Sequence, residues 1–379
     1  MKFNVPSKTL YTYTSAVGKV INSKNALMVL NNFLMTLEGD TLTITGSDVE
    51  NALTARIPVT GVEGSGSFCV EARRLTDLLK EIPEQGITVE VDKQSNVHVV
   101  YSSGRYDFVA IDGADYPDYK KEDNNGEPVA EPVSFTCPAA VFTKGLENTM
   151  FAVGTDDYRP LMMGVFLDIR EDQITFVATD TRKLVKYSDS TVRPGVHTSC
   201  ILPVKPASIL RTVFSGDEDL QITMTGKSAT ICNDTYTFNC RLIQGRFPDY
   251  NRVIPRANNL TLTVDRLTFL NAVRRVGLFV DPGYGLEKFR ITADSIELKS
   301  EDNNLMMSAR EQVPCSFTGD QLVIGFSAPF MLEILNTITT TDVVVNLSDP
   351  GRPGIFRPSE DTEGTELLML LMPMTVGEF

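Results

Sequence analysis

The chain repeats one segment three times, and this repetition constrains its fold more than any other feature. The copies span 32–48, 164–180 and 288–302, at offsets of 132 and 124 residues. Each copy is an alternating apolar run, a polar turn and a second alternating run, which is typical of a β-hairpin. A third alternating run follows each hairpin, at 52–57, 184–187 and 305–309. The sequence therefore predicts one structural unit that occurs three times along the 379 residues.

Each hairpin is preceded by one helical stretch and followed by a strand and a second helical stretch. In the helical stretch at 265–276, Leu267, Leu270 and Val273 share one face, as in an amphipathic helix that buries that face against a sheet. The six predicted stretches are 8–21, 72–82, 138–150, 206–214, 265–276 and 328–338. We expect an α+β fold of three repeated domains, each with two helices packed on antiparallel sheets.

Two polar joints, at 120–132 and 254–259, divide the repeats. They predict domains at residues 1–131, 132–255 and 256–379. The segment 351–364 is rich in Pro, Gly and acidic residues, which predicts a long exposed loop.

The composition argues against catalysis by histidine and against a metal centre. The chain has only two histidines, His98 and His197, and its six cysteines include no CxxC pair. We therefore expect buried, reduced cysteines, no metal and no cofactor. The first residues lack the apolar run of a signal peptide, and the strongly apolar stretch 367–374 is too short to span a bilayer. These features favour a soluble, cytoplasmic protein.

The net charge of -14 is unevenly distributed. As an average it should repel nucleic acids and anionic membranes. However, residues 1–35 contain four lysines and no acid, residues 203–216 contain two cations and no acid, and residues 265–275 contain three arginines against one aspartate. This pattern indicates basic helices within an acidic protein, although ordinary solvated lysines and arginines explain the same counts.

Several phrases give the chain a family resemblance. The phrase Gly245–Pro255 (Gly-Arg-Phe-Pro-Asp-Tyr-Asn-Arg-Val-Ile-Pro) resembles the one that closes the second domain of bacterial β sliding clamps, the processivity subunit of the replicative DNA polymerase. Thr179–Leu184 is similar to that family's Thr-Asp-Gly-His/Arg-Arg-Leu segment, and Met372-Pro373-Met374 is similar to its closing Met-Pro-Met. The start Met1-Lys2-Phe3 and the turn at 47–50 fit as well. The resemblance covers the whole chain, in order.

The resemblance implies a non-catalytic protein that forms a head-to-tail homodimer, a closed ring of six similar domains. Duplex DNA would pass through the hole without sequence readout, held by topology and by weak, salt-dependent phosphate contacts. It also implies a hydrophobic pocket for short peptides. The implied partners are the catalytic subunit of the replicative polymerase, the clamp loader, and other DNA polymerases and repair proteins.

The resemblance carries over to three sets of residues. The implied peptide pocket comprises Arg159, Met162, Thr179, Thr181, Arg182, Leu184, Pro248, Arg252, Val253, Leu370, Met372, Pro373 and Met374. Methionine and leucine would offer an adaptable apolar surface to a Leu or Phe anchor. The implied DNA contacts are Lys24 and Lys205, which match basic positions of the family, and we add Arg211, Arg266, Arg274 and Arg275 because they lie on predicted helices. The implied dimer interface comprises Arg73, Arg74, Arg105, Phe279, Glu297, Glu301 and Asp302, near paired edge strands at 104–110 and within 296–309.

The sequence departs from the family pattern inside the pocket. Thr181 stands where the family commonly has glycine, and Pro160 and Leu161 replace aromatic residues. The peptide preference therefore stays open. A tail at 375–379 follows Met374, and we expect it to cover part of the pocket.

Two other functions remain in view. Asp156, Asp157, Asp180 and Asp349 would be the candidate carboxylates of a hydrolase, although aspartates at turns usually accept hydrogen bonds from nearby backbone. The second alternative is a monomeric scaffold that only binds peptides.

Overall fold

The computed structural model describes residues 1–22, 25, 27–118, 131–302, 304–377 and 379. The first part of the chain contains helices α1 (Ser7–Val17) and α2 (Ala72–Glu81). Its strands are β1 (Lys2–Pro6), β2 (Asn32–Glu38), β3 (Thr41–Ser47), β4 (Asn51–Pro58), β5 (Thr60–Glu63), β6 (Gly66–Glu71), β7 (Gly86–Val91), β8 (Asn96–Tyr101), β9 (Gly104–Val109) and β10 (Ile111–Asp112).

The middle part contains helices α3 (Ala139–Thr149) and α4 (Val204–Val213). Its strands are β11 (Val133–Pro138), β12 (Gly164–Arg170), β13 (Gln173–Thr179), β14 (Lys183–Asp189), β15 (Thr198–Pro203), β16 (Asp219–Met224), β17 (Ser228–Cys232) and β18 (Tyr236–Arg241). The last part contains α5 (Arg266–Val276) and α6 (Ala328–Thr337). Its strands are β19 (Leu260–Asp265), β20 (Leu286–Ile291), β21 (Ser295–Asp302), β22 (Met307–Pro314), β23 (Ser316–Phe317), β24 (Leu322–Ser327), β25 (Asp342–Leu347), β26 (Gly354–Pro358) and β27 (Thr365–Leu371).

The chain forms two compact units, and the first consists of residues 1–140 and 208–242. It contains a five-stranded sheet in the order β5-β1-β7-β8-β9 and a nine-stranded sheet in the order β10-β6-β2-β3-β4-β18-β17-β16-β11. Helices α1 and α2 pack against each other and against these strands. Leu10, Thr14 and Val17 are buried because their spacing places them on one face of α1.

The second unit consists of residues 141–207 and 243–379. Its nine-stranded sheet has the order β15-β12-β13-β14-β27-β26-β25-β19-β23, and its four-stranded sheet has the order β22-β21-β20-β24. Helices α5 and α6 pack against each other, and α5 lies on β21 and β22. The side chain of Asp265 begins α5 by accepting a hydrogen bond from the Thr268 backbone N–H at 2.8 Å.

One hydrogen-bonded turn occurs at the same place in all three repeats. Asp48 and Asp180 directly follow the second strand of their repeated hairpins, and Asp302 is the last residue of that strand in the third repeat. The Oδ1 atom of each accepts two backbone N–H groups, at 3.1 and 2.7 Å, 2.8 and 2.8 Å, and 2.9 and 3.0 Å respectively. The triplication predicted from apolar patterns is therefore confirmed down to individual side-chain hydrogen bonds.

The predicted helices and hairpins are confirmed, with ends shifted by a few residues. The prediction of one long exposed loop at 351–364 is wrong. Strand β26 lies inside this segment, pairs with β25 and β27, and buries Ile355 and Phe356. The domain boundaries after residues 131 and 255 stay predictions.

Candidate functional site

The second unit carries a cluster of apolar side chains beneath the predicted pocket. Its buried members are Val177, Leu184, Ile201, Phe247, Tyr250, Ile355, Leu368 and Leu370, and Leu161, Phe166, Ile243 and Ile254 pack against them half-buried. Leu184 and Leu370 are direct partners in the β14–β27 pairing. The Phe166 and Phe247 rings stack with their centres 4.6 Å apart. This cluster forms an apolar floor, as a site for a hydrophobic anchor requires.

One residue of this floor, Tyr250, also makes a polar contact. The Tyr250 hydroxyl donates a hydrogen bond to Asp168 Oδ2 at 3.0 Å. Burial, together with the neighbouring Asp168 carboxylate, raises the pKa of Tyr250 to about 12, so this phenol is neutral at physiological pH. The Arg170 guanidinium lies 3.1 Å from the same carboxylate and balances its charge.

The turn between β13 and β14 forms one wall above the floor. Thr181 has a φ of 80°, in the left-handed region that glycine tolerates and β-branched residues avoid. The Arg159 Nη1 atom donates to the Thr181 Oγ1 atom at 2.9 Å, which joins the turn to the short 3-10 helix Pro160–Met162. Thr179 is buried and donates through Oγ1 to the Lys183 carbonyl at 2.8 Å.

The last strand and the residues after it form a second wall. The Met372 N–H donates to the Arg182 carbonyl, and the Met374 N–H donates to the Gly325 carbonyl, both at 2.8 Å. A cavity of about 480 Å³ lies beside this segment, lined by Val323, Pro350, Gly351 and 373–377. We expected the tail to cover part of the pocket. Residues 375–377 line this cavity beside Pro373 and Met374, whereas Phe379 lies on the four-stranded sheet, its ring centre 4.0 Å from the Arg290 guanidinium carbon.

The phrase Gly245–Pro255 supplies the third wall. Gly245 has a φ of 131°, which strains any other residue, and a Cβ atom there would lie 2.5 Å from Leu161 Cδ2, so that side chain would have to shift. Pro248 and Arg252 are exposed, and Arg252 Nε lies 3.0 Å from Asp249 Oδ2. Val253 is 54% exposed. An exposed aliphatic side chain at this position suits ligand contact better than a role in the core.

The structure gathers the predicted pocket residues in one region of the second unit but at different depths. Arg159, Thr181, Arg182, Pro248, Arg252, Val253 and Met372 are exposed; Met162, Pro373 and Met374 are half-buried; and Thr179, Leu184 and Leu370 are buried. Sequence reasoning missed Phe166 and the floor aromatics Phe247 and Tyr250. The last two are the aromatic residues of the quoted phrase, and their presence among mostly polar neighbours was the available signal. Sequence reasoning also missed the buried Lys183.

The predicted DNA contacts differ in how far they are held by other groups. Arg211 and Arg274 are exposed on helices α4 and α5, and Lys205 is half-buried on α4. Arg266 donates from Nε to the Thr340 carbonyl at 2.9 Å and from Nη1 to the Leu335 carbonyl at 3.3 Å, near the end of α6. Arg275 Nε donates to Glu311 Oε2 at 3.0 Å. Lys24 lies outside the described residues.

The two segments predicted to pair across the dimer, 104–110 and within 296–309, differ in their place within their sheets, and the pairing itself stays a prediction. Strand β9 is an edge strand, and its last residue, Val109, is 81% exposed. Strand β21, which carries Glu297, Glu301 and Asp302, pairs on both sides, so it is no edge. The edge strand is β22. Sequence patterns cannot show which strand of a sheet lacks a neighbour, because apolar and polar residues alternate in the same way in edge strands and in strands paired on both sides.

The charged residues proposed for this interface have partners in their own chain. Glu297 lies 3.1 Å from both Arg290 and Arg310, and Glu301 lies 2.6 Å from Lys299 and 3.1 Å from Lys288. The Lys299 and Lys288 ammonium groups lower the pKa of Glu301 below its ordinary value. Arg105 Nε lies 2.9 Å from Asp107, and Arg73 lies 3.8 Å from Asp77. Asp302 is buried in its turn, Arg74 is exposed and Phe279 is half-buried.

Three of the four carboxylates considered for hydrolysis, Asp156, Asp180 and Asp349, serve local turns. The Oδ1 atom of Asp156 accepts from the Tyr158 N–H at 3.0 Å, and that of Asp349 accepts from the Gly351 N–H at 2.9 Å. Across the described part of the chain, no group of three or more His, Cys, Asp or Glu side chains is placed to hold a metal ion. No helix among the described residues is long and apolar enough to span a bilayer.

Family models cover nearly the whole chain. Residues 1–120 match the N-terminal domain of the DNA polymerase III beta subunit, residues 136–249 its central domain, and residues 251–374 its C-terminal domain. The chain belongs to the DNA polymerase III beta-subunit family. This family of sliding clamps supplies the non-catalytic processivity factor of DNA replication, and the chain is a DNA sliding clamp of this kind.

Individual clamps agree with this assignment. The beta sliding clamp of Pseudomonas putida is 25% identical over 374 residues, covering 97% of this chain and 99% of that protein. The beta sliding clamp of Escherichia coli K12 is 26% identical over 355 residues, covering 92% of this chain and 93% of that protein. The sliding clamp of Bartonella birtlesii, solved bound to griselimycin, is 25% identical with a TM-score of 0.91, over 99% of this chain and 100% of that one. The Bacillus subtilis clamp shares the fold, with a TM-score of 0.89 at 22% identity over the full length of both chains.

Proposed function

We propose that this clamp forms a head-to-tail dimeric ring that encircles duplex DNA and tethers replication proteins through the pocket of its second unit. The three repeats carry the ring proposal, because two copies of such a chain supply six similar domains. Strands β9 and β22 supply the edges that would pair between subunits. Their unpaired backbone groups need a partner or protection from aggregation.

The apolar side chains near these edges support the same interface. Tyr106, Val109 and Ile111 are exposed at or after β9. In the second unit, Leu278 is exposed beside Phe279, and Leu305, Met306 and Met307 are exposed at the start of β22. Two complementary apolar edges favour a continuous sheet across the subunit boundary. The ion pairs within each chain leave the charged residues a peripheral role there.

We assign the DNA contacts to exposed cations of the helices. Arg211 and Arg274 fit this role best, since no intrachain ion pair holds either in the described structure. Lys205 and Lys24 remain assigned to the same role. Arg266 and Arg275 contribute less, because one is hydrogen-bonded to backbone carbonyls and the other to Glu311. Contacts of this kind bind phosphates weakly and allow sliding.

The pocket would bind short peptides with a Leu or Phe anchor. The anchor would lie on the apolar floor, with Met372, Pro373 and Met374 on one side and Val253 on the other. Arg159, Arg182 and Arg252 are exposed around it and favour acidic residues flanking the anchor. The partners we infer are the replicative polymerase catalytic subunit, the clamp loader, and other DNA polymerases and repair proteins, all in the cytoplasm.

Retention on circular DNA tests the ring. The protein is loaded by its clamp loader onto nicked circular plasmid and washed at about 0.5 M salt, where phosphate contacts are strongly weakened. We expect the clamp to stay on the circle and to leave after one double-strand cut. Equal loss from circular and linear DNA, or a monomer in sedimentation, would favour the monomeric scaffold and overturn the ring.

A further inference from the structure

Lys183 is a cation buried beside the peptide pocket, with only 4% of its surface exposed. Its Nζ atom contacts the Glu333 carboxylate on α6 and lies 3.7 Å from Asp180 Oδ2. The same atom lies 4.1 Å from the Phe330 ring centre and 5.7 Å from that of Phe151. Burying an ammonium group is costly unless carboxylates and aromatic faces compensate it, and here both are present.

Asp180 connects this buried cation to the wall of the pocket. Its Oδ1 atom accepts the backbone N–H groups of Arg182 and Lys183, while its Oδ2 atom faces the Lys183 ammonium. Between them, Thr181 keeps its left-handed φ of 80°. Such a conformation persists where the surroundings hold it, and here the Asp180 carboxylate holds it through the two backbone N–H groups and is itself held in place by the Lys183 ammonium.

The Asp180–Lys183 turn also positions residues in the other walls of the pocket. The Thr181 hydroxyl accepts from Arg159, and the Arg182 carbonyl accepts from the Met372 N–H. A shift of the turn would therefore move a cation on one side of the pocket and a methionine on the other. Lys183 itself points away from the floor, since its neighbour Leu184 is the strand residue that faces the apolar cluster.

We propose that Lys183 is a positioning residue, which ties the Asp180–Lys183 turn to helix α6 and thereby sets the shape of the peptide pocket. The inference rests on the proposed peptide-binding function. Lys183 would not touch the peptide. It would act through Asp180 and Thr181 on one side and through Glu333 on the other, so that the orientation of α6 influences peptide affinity.

Lys186 offers a matched control on the same strand. Its Nζ atom lies 2.8 Å from Glu366 Oε2, and its side chain is 20% exposed. It has the same chemistry and also joins β14 to another part of the unit, but it makes no contact with the turn. Lys183→Met and Lys186→Met each remove one cation and its ion pair, so a general loss of stability would affect both.

The experiment measures peptide affinity and turn protection separately. A fluorescein-labelled peptide with a Leu-Phe anchor, taken from the polymerase catalytic subunit, is titrated with wild type, Lys183→Met, Lys183→Arg and Lys186→Met. We expect Lys183→Met to weaken binding about tenfold, within the range of coupling between sites. Lys183→Arg should restore affinity, and Lys186→Met should match wild type. Hydrogen–deuterium exchange in the free proteins should show faster exchange at Arg182 and Lys183 only in Lys183→Met.

Each result decides one question. Unchanged affinity and exchange in Lys183→Met, or equal weakening by Lys186→Met, would overturn the positioning role. If Lys183→Met does not fold, Glu333→Gln replaces it, since Glu333 is partly exposed. In Glu333→Gln, a smaller loss of peptide affinity together with a smaller increase in exchange at Arg182 and Lys183 would support the proposal. The absence of both effects would overturn it. If wild type does not bind the peptide, the proposed function fails, and exchange in the free proteins still decides the role of Lys183.

Discussion

Thr181 is a β-branched residue in a backbone conformation that strains such residues. A β-branched residue with φ near 80° is strained by about 1–2 kcal/mol relative to glycine. Val49 occupies the same turn position in the first repeat, with a φ of 81°. The strain is therefore a property of the repeated turn, and only the Thr181 hydroxyl adds a contact to the pocket.

Glycine at these positions should stabilise the fold. We expect Thr181→Gly and Val49→Gly each to raise the free energy of unfolding by about 1 kcal/mol, after the greater entropy of glycine in the unfolded chain is subtracted. Urea unfolding measures this. Thr181→Gly should also lower the affinity for peptide, because Arg159 loses its hydrogen-bond acceptor, while Val49→Gly should leave affinity unchanged. A loss of stability in both variants would contradict the strain argument.

Glu287 is a second residue whose side chain is poorly matched to its surroundings, because its carboxyl group is buried. Its side chain on β20 is 0% exposed, and among the described residues neither carboxylate oxygen has a hydrogen-bond partner. Burial, with a smaller effect from Glu311, raises its pKa from 4.5 to about 9. Glu287 is therefore protonated in the folded protein at pH 7, whereas it is ionised in the unfolded chain.

This difference makes stability depend on pH. The contribution of protonated Glu287 is complete below pH 4.5 and is lost as pH rises towards about 9. Between pH 5 and 8 the loss reaches at most about 4 kcal/mol. Glu287→Gln should remove most of this decline in the free energy of unfolding, while the exposed Glu360→Gln should not. Parallel pH profiles for wild type and Glu287→Gln would show that the site is not desolvated.

At the scale of single residues, the sequence identified the exposed residues around the proposed pocket better than the apolar cluster beneath it. The phrases at 179–184, 245–255 and 372–374 carry the walls, because their residue types are recognisable without knowledge of packing. Phe166 and Ile355 reach the floor only through the pairing of distant strands. The burial of Lys183 could not be predicted, since nothing local reveals that Glu333 and Phe330 lie beside it.

At the scale of elements, repetition made the helices and hairpins predictable. The apolar period identifies each element, and three copies confirm one another. Strand β26 was missed because Pro353 and Pro358 flank its short apolar core, and local signals there favour a loop. Only its pairing with β25 and β27 makes it a strand. The edge strand of the last sheet was misplaced for a similar reason.

The edge strands give the prediction at this scale. Val109 is exposed at the end of β9, and a lysine there would be buried without a partner in a β9–β22 interface. We expect Val109→Lys to weaken dimerisation at least about tenfold, which corresponds to about 1.4 kcal/mol. Sedimentation velocity across a dilution series measures this. Val49→Lys, at an exposed turn, is the control, and a dimer unaffected by Val109→Lys would exclude β9 from the interface.

At the scale of the whole molecule, the net charge of -14 was a poor guide to the partner, because as an average it argues against nucleic acid. An average over the chain hides the exposed cations Arg211 and Arg274, which belong to helices. It also hides the ion pairs that neutralise Arg275 and the hydrogen bonds that hold Arg266. Among the described members of the DNA-contact set, Arg211 and Arg274 are exposed without an ion pair, and so small a number of contacts suits a protein that must hold DNA without binding it tightly.

A ring separates affinity for DNA from retention on DNA, and a double variant can show this. Arg211→Ala with Arg274→Ala should weaken binding to linear duplex, and each lost phosphate contact should lower the slope of log K against log salt by about 0.9. Arg193→Ala, an exposed loop substitution, should not change the slope. Retention of the double variant on circular plasmid should equal that of wild type, because topology and not charge holds a closed ring. Loss of the double variant from circles at the rate of its dissociation from linear DNA would mean that these cations, rather than a closed ring, keep the clamp on DNA.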